Sequence, residues 1–263
     1  MDSGHGEETE DPQPERVGEV VVADIRLARR GVEDCPLLYS ETRGGYNRHV
    51  KIIAFADVHG RFDMVASALR VAGPVDAVIV AGDITQFGLP SDVDRAMALW
   101  RPLAPVLIAV AGNLDSPEIE RHLEDIGVSV NARCRQMDDV AFFGCSAAPI
   151  SIGTPYEISE ENIAQRLARG AKGAAGAATR VLVSHAPPRG VVDFTSSGVH
   201  AGSEAVREFV QREQPSLVIC GHIHEAYGQE RLGATLVVNC GPAMRGQYAV
   251  IEIDADDCRA TLF

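Results

Sequence analysis

Three short apolar runs, each stopping on a polar side chain, constrain this chain more than any other feature. They are "KIIAFAD" at 51–57, "VDAVIVAGD" at 75–83 and "PVLIAVAGN" at 105–113. Such runs, bounded by Gly and Pro, predict strands buried on both faces. The stretches that follow them, "RFDMVASALRVAG", "PSDVDRAMALW" and "SPEIERHLEDIG", read as amphipathic helices. This alternation predicts a largely parallel sheet covered by helices.

The rhythm changes after Gly127. "VSVNARCRQMDDVAFFGCS" reads as two strands around "MDD". A helix is expected at "SEENIAQRLARG", and the glycine-rich "GAKGAAGAAT" as a flexible connection. Next come "RVLVSHAPP", a helix at "GSEAVREFVQREQ", then "PSLVICGHIH", with closing strands at "ATLVVNCGP" and "QYAVIEID". No internal repeat is detected. The reading is one α/β domain over 49–263 with two sheets, and 263 residues at 46% hydrophobic can bury a sizeable core. Residues 1–48 are expected to be an acidic tail and extension; through about residue 18 they carry too few apolar side chains to offset the entropy of ordering.

A net charge of −13 argues against broad binding to nucleic acid or anionic lipid. The beginning of the chain has no apolar core region of a signal peptide, and no run is long enough to cross a bilayer. The six cysteines show no CxxC pair. They are expected to be mostly buried thiols in a reducing cytoplasm, with a disulfide framework improbable.

The chemistry lies at the strand ends. "FADVHG" gives Asp57 and His59, "VAGD" gives Asp83, "VAGN" gives Asn113, "VSH" gives His185, and "CGHIH" gives His222 and His224. Taken singly, each has a structural alternative as a helix cap, an Asx turn or a satisfied loop histidine. Seven of them, each closing one of five apolar runs or lying two residues beyond, are hard to explain as independent caps. Carboxyl ends of strands are where open α/β sheets gather ligands, so convergence on metal is expected. Oxygen and imidazole donors without thiolate suit Mn, Fe, Co, Ni or Zn. "GAKGAAGAAT" lacks the G-K-[S/T] of a phosphate loop, and no G-x-S-x-G elbow marks a serine nucleophile.

In order, "DVH" 57–59, "GD" 82–83, "GNLD" 112–115, His185 and "GHIH" 221–224 resemble the blocks of the calcineurin-like metallophosphoesterase superfamily. The resemblance implies a four-layer sandwich, two β-sheets flanked by helices. It implies two divalent ions, manganese foremost: Asp57, His59 and His224 would hold one, Asn113, His185 and His222 the other, and Asp83 would bridge them. An activated water would then attack phosphorus in a phosphoester substrate, with Asn113 also near the phosphate.

Leu114 is the departure. The superfamily usually keeps a histidine there, oriented by the following acid, to assist the leaving oxygen. Leucine cannot do so, and Asp115 is expected to lose its usual partner. General acid catalysis contributes roughly 10²–10⁴-fold, so the expectation is a preference for diesters over alkyl monoesters. His200, in "SSGVHAGSEA", is a candidate replacement acid, and Arg61 and Arg189 are candidates for phosphate contact. The competing class is a non-catalytic metal-binding or protein-interaction module on the same fold; metal content and turnover of an aryl diester discriminate the two.

Overall fold

The computed structural model describes Met1 and residues 35–39, 49–254 and 257–263. The acidic tail and most of the extension expected before residue 49 therefore lie outside the described residues.

A short edge strand, β1 (Leu37–Tyr39), comes first. The three apolar runs form β2 (Val50–Phe55), β3 (Ala77–Ala81) and β4 (Leu107–Val110). Each leads into a helix: α1 (Phe62–Ala72), α2 (Pro90–Trp100) and α3 (Pro117–Asp125). The two strands around "MDD" are β5 (Cys134–Met137) and β6 (Val140–Cys145), an antiparallel hairpin. A two-residue pair follows, β7 (Ala148–Pro149) with β8 (Glu157–Ile158). Then come α4 (Glu160–Gly173), β9 (Thr179–Ser184), α5 (Glu204–Glu213), β10 (Leu217–Cys220), β11 (Gly228–Leu232), β12 (Thr235–Asn239), β13 (Ala249–Ile253) and β14 (Cys258–Leu262). Ser116, Ser159 and Ser203 cap α3, α4 and α5, each accepting from the backbone N–H three residues on.

Both large sheets are mixed. One has five strands in the order β14, β13, β2, β3, β4, and the other seven in the order β1, β5, β6, β9, β10, β12, β11. Strand periodicity distributes the side chains. Ile52 and Ala54 of β2 face the second sheet, joining Phe142, Val181 and Ile219 in the central core, while Ile53 and Phe55 face α1 and α2 with Val65 and Trp100. A third core joins the seven-stranded sheet to α4 and α5 through Phe143, Leu167 and Phe209. The order of layers is thus α1–α3, sheet, sheet, α4–α5: the four-layer sandwich expected.

Three local expectations are corrected. The helix α4 runs to Gly173, so the first four residues of "GAKGAAGAAT" are helical. Gly170 is there for space, since a Cβ would stand 3.1 Å from the carbonyl of Arg133. The sequence reading also missed β11 and β14, short amphipathic edge strands with too few apolar residues to announce themselves. Finally, Cys35 and Cys134 form a disulfide; Cys145, Cys220, Cys240 and Cys258 are buried free thiols as expected. A contact spanning 99 residues leaves no spacing signal in the chain.

Candidate metal centre

The polar residues at the strand ends come from both sheets. Asp57 and His59 follow β2, Asp83 follows β3 and Asn113 follows β4; His185 follows β9, and His222 and His224 follow β10. Hydrogen bonds across the gap join the two sets. His185 Nδ1 donates to the carbonyl of Ala81 at 2.9 Å, which leaves its Nε2 free to face the centre. The His222 N–H lies 3.0 Å from Asp57 Oδ2 and 3.2 Å from Oδ1.

Asp57, His59 and His224 each present a ligand atom within 4.8 Å of the other two, and Asp57, Asp83 and His185 do the same. The His59 and His224 Nε2 atoms are 3.3 Å apart, and His224 Nε2 is 3.4 Å from Asp57 Oδ1. On the other side His185 Nε2 is 2.8 Å from Asn113 Oδ1, and the rings of His185 and His222 are 5.0 Å apart. Asp83 Oδ2 lies between the groups, 3.9 Å from His59 Nε2 and 3.6 Å from His185 Nε2. All seven residues singled out in the sequence are therefore brought together.

The backbone is distorted to achieve this. Asp57, His59, Asp83 and His222 all take positive φ, from 48° to 69°. Each such non-glycine residue costs roughly 1–3 kcal/mol, and folding alone does not require four of them in one place. The glycines beside the ligands are explained by close approach. A Cβ on Gly82 would stand 2.2 Å from His185 Nδ1, one on Gly112 2.1 Å from Asp83 Oδ1, and one on Gly221 2.5 Å from Asp57 Oδ2. "GD", "GN" and "GH" thus share one physical cause.

The electrostatics suit a cation. Burial, reinforced by Asp115 and Asp57, pushes the Asp83 carboxyl well above its ordinary range. Burial opposes ionisation of Asp57 too, but the hydrogen bond from His224 and the nearby His185 bring it below the usual value. Burial lowers His59 to about 4 and, with His185 beside it, His222 to about 3. Those imidazoles are neutral at pH 7 and offer lone pairs. His224 is raised, by its hydrogen bond to Asp57. Two buried carboxyl groups among imidazoles, with no thiol, form a donor set that fits divalent ions.

Asp115, which has leucine rather than its usual histidine partner beside it, is bonded to other groups. Its Oδ1 accepts from the N–H and the hydroxyl of Thr85, both at 2.8 Å, and its Oδ2 from the N–H groups of Gly112 at 2.9 Å and Ile84 at 3.1 Å. It clamps the loop after β3 to the loop after β4. The Leu114 N–H donates to Asp83 Oδ1 at 2.7 Å, so the backbone at 114 positions a ligand although its side chain cannot.

The remaining candidates are each close to an acid of their own. His200 Nδ1 is 2.6 Å from Asp193 Oδ1; buried Asp193 also accepts from Gly190 and Gly202, so this carboxylate sets where His200 sits. Arg61 lies 3.6 Å from Asp63 and Arg189 3.2 Å from Glu204, each beside an exposed acid. Asn239 escaped the sequence reading. Its amide donates to the carbonyls of Val192 at 3.1 Å and Ile223 at 3.0 Å, fixing the loop that carries His222 and His224. The signal was available, because Asn239 also closes an apolar run, "TLVVN".

The family described as calcineurin-like phosphoesterase matches over residues 50–226. An uncharacterised protein of Methanocaldococcus jannaschii is 29% identical over 202 residues, covering 74% of this chain and 89% of its own. A probable cyclic nucleotide phosphodiesterase of Synechococcus is 27% identical over 191 residues, covering 68% of this chain and 69% of its own. A dimetal phosphatase from Danio rerio shares the fold with a TM-score of 0.56 at 13% identity, over 80% of this chain and 98% of that one.

Proposed function

Because the chain belongs to the calcineurin-like phosphoesterase family, we propose that it is a phosphodiesterase working with two divalent ions, manganese foremost. In this reading Asp57, His59 and His224 hold one ion and Asn113, His185 and His222 the other. The observation that carries it is the position of Asp83 Oδ2 between His59 and His185, where one carboxylate can serve both groups. When bound, the ions supply Lewis acidity toward phosphoryl oxygens and a lowered pKa for water.

The chain's own residues do the rest. Asp83 is held by the Leu114 N–H, so this carboxyl is fixed before substrate arrives. The Asn113 side-chain amide, bonded to Thr154 Oγ1 at 3.2 Å, turns toward phosphate by exchanging that partner. With leucine at 114, nothing at that position protonates a poor leaving group, which favours activated diesters. The probable phosphodiesterase among the relatives supports the same preference. His200, on its buried Asp193, is the candidate acid within this proposal, and Arg61 and Arg189 the candidate phosphate contacts.

Among the described residues no helix is long and apolar enough to cross a membrane. A cytoplasmic placement belongs to the proposal and is supported by the four free thiols, while the Cys35–Cys134 bridge argues against it. Thiol labelling of protein taken from intact cells decides that point.

The functional test is hydrolysis of bis-p-nitrophenyl phosphate against p-nitrophenyl phosphate with Mn. Diester turnover lost in Asp83→Asn, and monoester activity gained in Leu114→His, are the expected results. Stoichiometric metal uptake without turnover of either compound transfers the protein to the non-catalytic module. An unchanged rate in His200→Ala removes that residue.

A further inference from the structure

Four cations line one cavity of about 440 Å³, and none of its residues is a metal ligand. Arg133 immediately precedes β5 and Arg135 lies within it, while Arg169 and Lys172 belong to the last turns of α4. In a chain with 37 acidic and 24 basic residues, such a cluster runs against the average. Packing brings it about. The helix approaches the Arg133 segment closely because Gly170 has no side chain: a Cβ there would stand 3.1 Å from the Arg133 carbonyl and 3.3 Å from Phe143 Cβ. Between the two arginines of the strand, Cys134 also lines the cavity and is held by its disulfide to Cys35.

Acids of the chain neutralise only part of this charge. Arg133 Nη2 donates to Glu124 Oε2 at 2.8 Å. The half-buried Arg135 has no carboxylate partner among the described residues; its Nε donates to the Ser129 carbonyl at 3.3 Å. Burial and the neighbouring Arg133 push its guanidinium below the ordinary range. Arg169, exposed on α4, also has no carboxylate partner among the described residues. Cations are ordinary near a helix C-terminus, where they face the negative end of the dipole, and that accounts for Arg169 and Lys172 taken alone. It does not account for Arg135, a strand residue held beside a like charge with a neutral carbonyl as its partner. A partly desolvated guanidinium in that position is unfavourable until an anion completes it.

We infer that this cavity is a second binding site, which takes a small multivalent oxyanion, a ligand with two or more adjacent phosphate or carboxylate groups, on Arg135 and Arg169. Guanidinium forks match those groups two oxygens at a time. Two arginines without acids call for more than one negative charge. The volume lies within the roughly 300–1,000 Å³ of small-molecule sites, which suits a compact ligand rather than an extended nucleic acid. The net charge of −13 does not oppose such a ligand here. At physiological ionic strength, exposed charges more than ~8 Å away are largely screened, so the adjoining cations set the local field. The site does not depend on the phosphodiesterase reading.

The test is calorimetric titration of methylenediphosphonate and, separately, of propane-1,2,3-tricarboxylate into the full chain after dialysis against Mn. Wild type, Asp83→Asn and Arg135→Gln/Arg169→Gln are compared. The expected result is a binding event that Asp83→Asn keeps within threefold and the double arginine variant weakens at least tenfold. Whichever anion binds more tightly identifies the ligand as phosphate or carboxylate in chemistry. Binding that disappears in Asp83→Asn and survives in the arginine variant belongs to the metal centre and overturns the site. Failure of the wild type to bind either anion at millimolar concentration overturns it as well. Without ligand, the double variant is expected to unfold no earlier than the wild type, because glutamine at 135 removes a charge that has no acid. Added anion raises the unfolding midpoint of the wild type and leaves that of the variant unchanged. Arg169→Gln alone, on the exposed face of α4, repeats the comparison if the double variant does not fold, and wild-type affinity in it overturns the site.

Discussion

Replacing Asp115 by asparagine isolates what this buried carboxylate does in a chain whose preceding residue is leucine. The asparagine oxygen can keep the Oδ1 position and its two bonds from Thr85. Its NH₂ then faces the N–H groups of Gly112 and Ile84, donors at 2.9 and 3.1 Å with nothing to receive them. Each buried donor left unsatisfied costs roughly 1–3 kcal/mol, so the two together cost about 4 kcal/mol. For a domain of this size each kcal/mol lowers Tm by about 2–4 °C, which gives a fall of ~8–16 °C. Asp115→Ala, which strands all four donors, falls further. The same change removes one of the charges that raise Asp83, so the Asp83 carboxyl moves toward its ordinary range. Thermal unfolding by circular dichroism in chelator, at pH 7, measures the stability cost without metal linkage. A loss in Asp115→Asn under about 1 kcal/mol would refute the clamp and return Asp115 to the role of an idle remnant.

Gly112→Ala is expected to abolish metal binding, because its Cβ would lie 2.1 Å from Asp83 Oδ1; elemental analysis after dialysis against Mn checks this, and wild-type stoichiometry contradicts it. The Glu157 carboxyl is held down to about 2 in the fold by the backbone donors of its loop, against burial, which raises it. Its contribution to stability is therefore complete above pH ~4.5, the unfolded value, and fades as pH falls toward 2. Urea midpoints from pH 6 to 3 in wild type and Glu157→Gln should converge at the acid end; a constant difference speaks against it. Trp100 is fully buried, stacks edge-on against Phe62 and donates to its carbonyl at 3.0 Å, so Trp100→Ala is expected to lose ~3–5 kcal/mol in urea unfolding.

Much of the site could be read in the chain, for a definite reason. A strand buried on both faces must be apolar until it ends, so the first polar residue after each run is exposed as an anomaly; Asp57, Asp83, Asn113 and His185 were all found this way. Asn239 obeys the same rule, but its strand carries no recognisable block. The four-layer order is what the resemblance implies, whereas strand–helix alternation by itself predicts only a largely parallel sheet covered by helices. The amphipathic edge strands β11 and β14, the continuation of α4 through "GAKG" and the Cys35–Cys134 bridge did not, since pairing partners and tertiary cover decide them.

What the sequence determined by itself is the inventory: which donors stand at which strand ends, and that position 114 lacks an imidazole. What only the tertiary structure decided is how those parts act on one another. Asp83 is set between two histidine groups because two sheets end at the same place. Asp115, expected to lose its partner, binds four donors that lie 3 to 31 residues away in the chain. The Phe87 N–H, donating to the Leu114 carbonyl at 3.0 Å, joins the same two loops. Local periodicity records which side of an element is apolar, whereas the contacts that give each residue its task join segments whose separation leaves no local trace.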